Sequence, residues 1–255
     1  MGEWPGNCLI MRPVLLLALD TSSPAGSVAA LRDGKVVGLV STWTDEDYSS
    51  RMFRHVELLL RELSLDLGQF DAFAVASGPG SFTGLRVGLT AVKGWAEIHG
   101  RPIVAVSVLE AIAAQSRGGA PTLVPVVDAR RGEVYFGVYR RQGGAASTRL
   151  EPAGGACVAT PEDFWAGLEA RVGNSTFTVV TPTPEAIAGA ADRAKQAGVA
   201  VGQMAIEMVA NVLAPTIAEL ALRGMARGDA QDSLTLDADY VRRTDAELKW
   251  KDPSN

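Results

Sequence analysis

The stretch VLLLALDTSSPAGSVAALRDGKVVGLV, residues 14–40, decides the fold. It opens with a continuous apolar run, Val14–Leu19, of the kind that forms a strand buried on both faces. Asp20-Thr21-Ser22-Ser23-Pro24 then breaks the run with short polar side chains. Ser27–Leu31 and Val36–Val40 flank Asp33-Gly34, a dipeptide that supplies the positive φ of a two-residue hairpin. Three antiparallel strands are predicted. Working outward, Met52, Val56, Leu59 and Leu63 fall at the spacing of a helical stripe. Asp71–Ala76 reads as a strand and Gly78–Gly84 as a loop; Leu85, Leu89, Val92 and Ala96 then mark the buried face of a helix closed by Gly100. Ile103–Val106 is the next strand. Strand–helix–strand crossovers of this length make parallel pairs, so three antiparallel strands are followed by parallel ones.

That order, β-β-β-α-β-α-β, resembles the ribonuclease-H-like half of the actin/Hsp70/sugar-kinase (ASKHA) superfamily, an α/β fold of mixed sheets with flanking helices. The second half repeats the opening. Leu123–Val127 ends at Asp128 as Val14–Leu19 ends at Asp20, and Gly132-Glu133-Val134 parallels Gly26-Ser27-Val28. One strand is expected over Tyr135–Arg141, turned by Gly143-Gly144. Helix starts are expected at Thr160-Pro161-Glu162 and Thr183-Pro184-Glu185, each a capping hydroxyl followed by Pro. Ser107 with Glu110 is a capping box. In residues 199–222, Gln203, Glu207, Asn211 and Glu219 recur at multiples of four, which predicts a helical face with a polar stripe rather than a membrane span. The expected organisation is a loose tail over residues 1–10, a first actin-like lobe over 11–106, and a second, divergent lobe over 107–255 ending in a helix and tail.

Composition narrows the class. The chain has 255 residues, 47% of them hydrophobic, enough for a sizeable core and too apolar for disorder. Lys plus Arg number 24 against 29 Asp plus Glu, so the net charge of −5 offers no global attraction for nucleic acid. The two cysteines, Cys8 and Cys157, form no CxxC pair and no disulfide framework, which points to a reducing, cytoplasmic location. The six-residue run Val14–Leu19 is too short for a secretory signal, and no membrane association is expected.

Chemistry-bearing motifs are few. Gly78-Pro79-Gly80-Ser81-Phe82-Thr83-Gly84 lies between a strand and a helix, but no Lys-Ser/Thr follows it and its GxGxxxG spacing is wrong for a dinucleotide. Its glycines are read as serving a tight turn and close packing. Asp20, with Thr21, Ser22 and Ser23, is the candidate nucleotide-binding turn, because an acidic residue at that strand end orients metal-bound phosphates in actin-like ATPases. The second lobe offers Ala129-Arg130-Arg131-Gly132 after Asp128 instead of a Gly-rich turn. His55 and His99 are the only histidines, and a paired-His metal site on one helix fails because residue 59 is Leu. His55 is read as a surface or interface side chain. No catalytic residue and no metal ligand is nominated.

Together, ALDTSS at 18–23, His55 on its helix, GPGSFTGLRVG at 78–88, DARRGEVY at 128–135 and the tail Asp239-Tyr240-Val241-Arg242-Arg243 … Lys249-Trp250-Lys251 resemble the TsaB (YeaZ) family. The resemblance implies a non-catalytic subunit that pairs with a paralogue, TsaD, for threonylcarbamoylation of the adenosine beside the tRNA anticodon, joined by a small ATPase, TsaE. It implies no cofactor of the chain's own, the ATP/ADP and metal belonging to the partner subunits. It also implies a partner surface on the helices around residues 50–63 and 83–99, with Met52, His55, Leu59, Leu63, Arg86, Thr90 and Lys93 as candidates. The same surface would support a homodimer in isolation. Locally, the first helix carries more apolar residues than one stripe needs. Leu59→Asp would test that surface, provided Leu59 faces outward. Arg130, Arg131, Arg242 and Arg243 are candidate tRNA contacts within the complex. The alternatives are a stand-alone actin-like ATPase or kinase and, less favoured, an M22-type glycoprotease.

Overall fold

Every residue of β1 (Leu15–Asp20) is buried, which is why no polar side chain interrupts it before Asp20. The computed structural model describes residues 13–44, 46, 48–143, 149–173, 175–189, 204–233, 236 and 241. The tail expected over 1–10, Gly144, Arg242 and Arg243 lie outside them. β1 pairs antiparallel with β2 (Ser27–Arg32), and β2 with β3 (Lys35–Ser41). Asp33 at φ 52° and Gly34 at φ 75° supply the two positive values the connecting hairpin requires. α1 (Tyr48–Leu63), β4 (Ala72–Gly78), α2 (Phe82–His99) and β5 (Ile103–Ser107) follow. β4 is parallel to β1 and β5 to β4, giving the order β3-β2-β1-β4-β5. α1 packs on β2 and β3, α2 on β4 and β1, and the two helices touch.

After α3 (Val108–Ala114), N-capped by Ser107 Oγ accepting from Glu110 N–H, the chain builds the second sheet. Its central strand is β6 (Thr122–Arg130), with β7 (Glu133–Phe136) antiparallel on one side and β11 (Phe177–Thr181) parallel on the other. β11 in turn pairs parallel with β12 (Met204–Met208). The sequence β7-β6-β11-β12 therefore repeats β2-β1-β4-β5. β8 (Tyr139–Gln142), β9 (Arg149–Pro152) and β10 (Cys157–Ala159) extend the sheet, and α4 (Pro161–Val172), capped by Thr160, packs on β7 and β10.

Three expectations change. The strand expected over Tyr135–Arg141 is two strands, β7 and β8, separated at Gly137 and Val138. Both pair with β6 in one register from Thr122 to Asp128, and the break stands opposite Val124 and Pro125. Pro125 has no N–H to donate, so only Gly137 N–H to Pro125 O is made there (3.3 Å). The helical stripe over 199–222 resolves into strand β12 and a separate helix, α5 (Ala214–Arg227). Pro215 stands in the first turn of α5, where its missing N–H costs nothing; inside one long helix it would break the ladder. Finally, the chain crosses between sheets near residue 107, but α5 returns to cover β1, β2, β4 and β5 of the first sheet. Ser27 Oγ accepts the Ala214 N–H at its start (3.1 Å). One core accordingly joins Leu17 and Val75 to Ile217, Leu123 and Val180, while Phe164, Trp165 and Val179 anchor a second. Among the described residues, no helix is long and apolar enough to cross a membrane.

β12 is held at its edge by Glu207, whose carboxylate accepts Ser116 O–H (2.6 Å) and Arg117 N–H (2.8 Å). Partial burial raises its pKa, but the hydrogen bonds from Arg117, Ser116 and Gly118 outweigh it and leave the value lowered. The bond is therefore complete above the ordinary carboxylate pKa and is lost as pH falls through the lowered folded value. Glu207→Gln should flatten the part of the urea-midpoint decline below about pH 4 that belongs to this group; an identical decline in both proteins would refute the assignment.

Candidate functional site

The turn after β1 concentrates buried polar atoms. Asp20 is 1% exposed, and its Oδ1 accepts the Ser22 N–H (2.9 Å) and O–H (2.6 Å). Its Oδ2, Thr21 Oγ1, Ser23 Oγ and Arg51 Nη2 are sealed from solvent without a hydrogen-bond partner. Burial pushes the Asp20 carboxyl up to about 6, opposed by the Ser22 hydrogen bonds and by the charge of Arg51.

The space around this turn is filled by the chain itself. On one side, Ser81 N–H donates to Ser22 O (2.8 Å). A Cβ at Gly80 would stand 2.6 Å from Ser22 O, and one at Gly84 2.0 Å from Thr21 O. The glycines thus let α2 approach the turn, as the sequence reading held, and Ser81 Oγ caps the helix through Gly84 N–H (3.2 Å). On the other side, Arg51 Nη1 donates to Pro24 O and Thr44 O (2.9 Å each). Its guanidinium lies 4.7 Å from the Tyr48 ring centroid, and the Tyr48 ring lies 3.0 Å from where a Gly84 Cβ would be. The fold family implies a nucleotide at such a turn. The residues present do not fit one, because α2 closes directly on the turn at Gly80 and Gly84 and Arg51 closes its other side. Arg51 and Tyr48 are the participants that motif reading passes over. The available signal is spacing: Arg51 stands four residues before His55 and eight before Leu59, on the stripe that faces the sheet.

The helix pair corrects the expected partner residues. Met52, His55 and Leu59 are buried, and Leu59 and Leu63 fill the room left by the missing side chain of Gly38. Leu59 faces inward, so it is not a surface probe. His55 is not a surface group either; its Nε2 lies 3.0 Å from Thr42 Oγ1, and burial, followed by Arg51 and Arg54, lowers its pKa. What α1 exposes is Phe53 (51%) and Leu58, beside the Arg54–Glu46 ion pair. α2 exposes Arg86, Thr90 and Ile98 (77%), with Lys93 half-buried and the Arg86 guanidinium 3.9 Å over the Phe82 ring. Phe53 meets Trp95 edge-on across the pair, centroids 6.4 Å apart. Ile98 lies three residues on from Trp95, on the same helical face.

In the second sheet, Asp128 N–H donates to Thr183 Oγ1 (3.2 Å) and Asp128 Oδ1 accepts Arg130 N–H (2.7 Å). Arg130, Arg131 and Gly132 all have positive φ (62°, 59° and 74°), so both arginines occupy a conformation that favours glycine. Burial pushes the Tyr48 hydroxyl up to about 12. His99 sits apart, against Gly68. Among the described residues, no group of three or more His, Cys, Asp or Glu is placed to hold a metal ion.

Known proteins share this arrangement. Residues 33–171 match the family model of TsaD, tRNA N6-adenosine threonylcarbamoyltransferase. The chain is 38% identical over 129 residues to the tRNA threonylcarbamoyladenosine biosynthesis protein TsaB of Bacillus subtilis, covering 51% of this chain and 56% of that one. It is 36% identical over 128 residues to TsaB of Escherichia coli, covering 49% and 55%. The chain thus spans about half the length of the curated relatives it matches. Over its greater length it is similar to YeaZ from Pseudomonas aeruginosa, with TM-score 0.67, 29% identity and coverage of 89% and 99%. A second Pseudomonas aeruginosa structure, described as similar to peptidase YeaZ, gives TM-score 0.70 and 30% identity over 90% of this chain and 100% of that one. With that identity sustained over a whole relative, and with two related lobes built on one strand order, this chain belongs to the TsaB (YeaZ) family.

Proposed function

We propose that this chain is a non-catalytic scaffolding and activating subunit that pairs with a TsaD-type transferase in threonylcarbamoylation of the adenosine next to the anticodon of tRNAs. The observation that carries this reading is the apolar surface on the α1–α2 pair: exposed Phe53 edge-on to half-buried Trp95, with exposed Ile98 three residues further along α2. Such a patch on a helix pair is the surface a paralogous helix pair would cover. Its relatives' naming as threonylcarbamoyladenosine biosynthesis proteins supports the pathway, and the TsaD family match supports a paralogous partner. The self-filled turn at Asp20–Ser23 supports a chain without its own nucleotide chemistry, the ATP/ADP and metal residing in the partner subunits.

In this reading a TsaE-like ATPase joins the pair in the cytoplasm, and the α1–α2 surface forms a homodimer when the partner is absent. tRNA is held mainly by the partner, with Arg130 and Arg131, together with Arg242 and Arg243, adding phosphate contacts. Co-purification from native extract is the direct test. Phe53→Glu should lose the TsaD-type subunit at least a hundredfold in affinity while melting within a few degrees of the parent, because Phe53 is half exposed. Undiminished capture by that variant refutes the surface. Metal-dependent ATP turnover by the lone chain that disappears in Asp20→Ala would favour the kinase-like alternative.

A further inference from the structure

Asp20 and Arg51 each tie the same short turn to a different helix. Asp20 gathers the N–H and O–H of Ser22; the Ser22 carbonyl takes the Ser81 N–H, and Ser81 caps α2. The chain of contacts runs from the end of β1 to the first turn of α2. Arg51 works from the first turn of α1, where its Nη1 holds the carbonyls of Pro24 and Thr44. Pro24 closes the turn, and Thr44 belongs to the segment that enters α1. Tyr48 stands between the two systems, stacked under Arg51 and seated against Gly84. Gly26 completes the footing, since a Cβ there would stand 2.6 Å from Arg51 Nη2. Both charges are buried, at 1% and 2% exposure, so these contacts compete with no solvent.

We propose that Asp20 and Arg51 are positioning residues that fix α1 against α2 and so set the spacing of Phe53, Trp95 and Ile98 on the face that receives the paralogous subunit. The inference rests on the partner-surface reading above. Neither side chain reaches that face. Their effect passes through the helix ends, and helix surfaces that mate ridge into groove lose complementarity when one helix shifts by a fraction of its side-chain spacing. The turn that the fold offers to a ligand is here converted into a footing for an interface.

The test is titration calorimetry of the full chain against its TsaD-type subunit at pH 7.5, with thermal melts of each variant. Phe53→Glu reads the face itself. Arg51→Met keeps the side-chain volume but cannot hold the Pro24 and Thr44 carbonyls; affinity should fall at least tenfold, and the melting midpoint should fall too because Asp20 is left uncompensated. Arg51→Met combined with Asp20→Asn removes both buried charges, so the midpoint should recover the part lost to the uncompensated carboxylate, the two unpaired carbonyls still counting against it, while the affinity does not recover. Arg51→Lys, able to hold one carbonyl, should recover part of the affinity. A merely structural role would let affinity follow stability in the double variant. Wild-type affinity there, alongside a Phe53→Glu that does not bind, overturns the positioning role and leaves the face in place. Normal binding by Phe53→Glu overturns the face and the inference with it.

Discussion

Leu59→Asp is expected to unfold the first lobe rather than to silence a surface. Leu59 is 3% exposed and packs with Leu63 into the space above Gly38. Truncating such a leucine costs about 2–5 kcal/mol through lost burial and the cavity left behind. A carboxylate in the same place adds a desolvation cost of several kcal/mol, or forces the group to take up a proton. Against a total stability of about 5–15 kcal/mol, that sum removes most or all of the folded population at 37 °C. Thermal melts followed by far-ultraviolet circular dichroism should place Leu59→Asp at least about 10 °C below the parent, if it folds at all. Phe53→Glu, six positions earlier and half exposed, should stay within a few degrees. Equal midpoints for the two variants would mean that α1 is rotated from the orientation described.

That contrast shows where the sequence was legible and where it was not. The period-four stripe correctly marked Met52, Val56 and Leu59 as one helical face, and the sheet-facing face is the one it marks. The apolar residues that α1 leaves exposed are the remainder, Phe53 and Leu58, and reading the stripe as interface inverted the two. The opening three strands were legible because β1 is buried on both faces and Asp33-Gly34 has one dominant use. The 199–222 segment misled because a polar residue every fourth position is compatible with an alternating strand followed by a helix; Pro215 was the overlooked stop. Return of α5 to the first sheet was invisible, since nothing in its own pattern records which sheet it covers.

At the site, the glycines of 78–84 were readable as packing residues, and the close approaches to Ser22 and Thr21 give the physical reason. Arg51 was not readable. A charged residue on an apolar stripe is ordinarily taken as the edge of that stripe, with its head group in water. Here its head group is buried under Pro24 and Thr44, and only the tertiary position of the turn makes that affordable.

Asp20→Asn is expected to stabilise the protein near neutral pH, and to do so with a pH dependence that identifies the cause. Burial raises the folded carboxyl to about 6 from the 3.8 of an exposed aspartate. Below the lower value both states are protonated and the group contributes no difference. Between the two values the unfolded chain releases its proton while the folded chain retains it, so the folded state loses ground as pH rises. Above about 6 the full penalty stands. Two units at about 1.4 kcal/mol each put its ceiling near 3 kcal/mol. Asn at this position never ionises, and its Oδ1 can still accept both Ser22 bonds, though without the charge that strengthens them, a loss of about 1 kcal/mol. The net gain should be about 1–2 kcal/mol at pH 7.5 and should vanish or reverse by pH 4. Urea denaturation of both proteins across that range isolates the difference, because every other titrating group is shared. Parallel stability curves, or an Asn variant weaker at pH 7.5, would show that Asp20 is better compensated than its orphaned Oδ2 indicates. A stabilised variant would mean that the chain carries this charge at a cost to its own folding, at the turn on which both α1 and α2 stand.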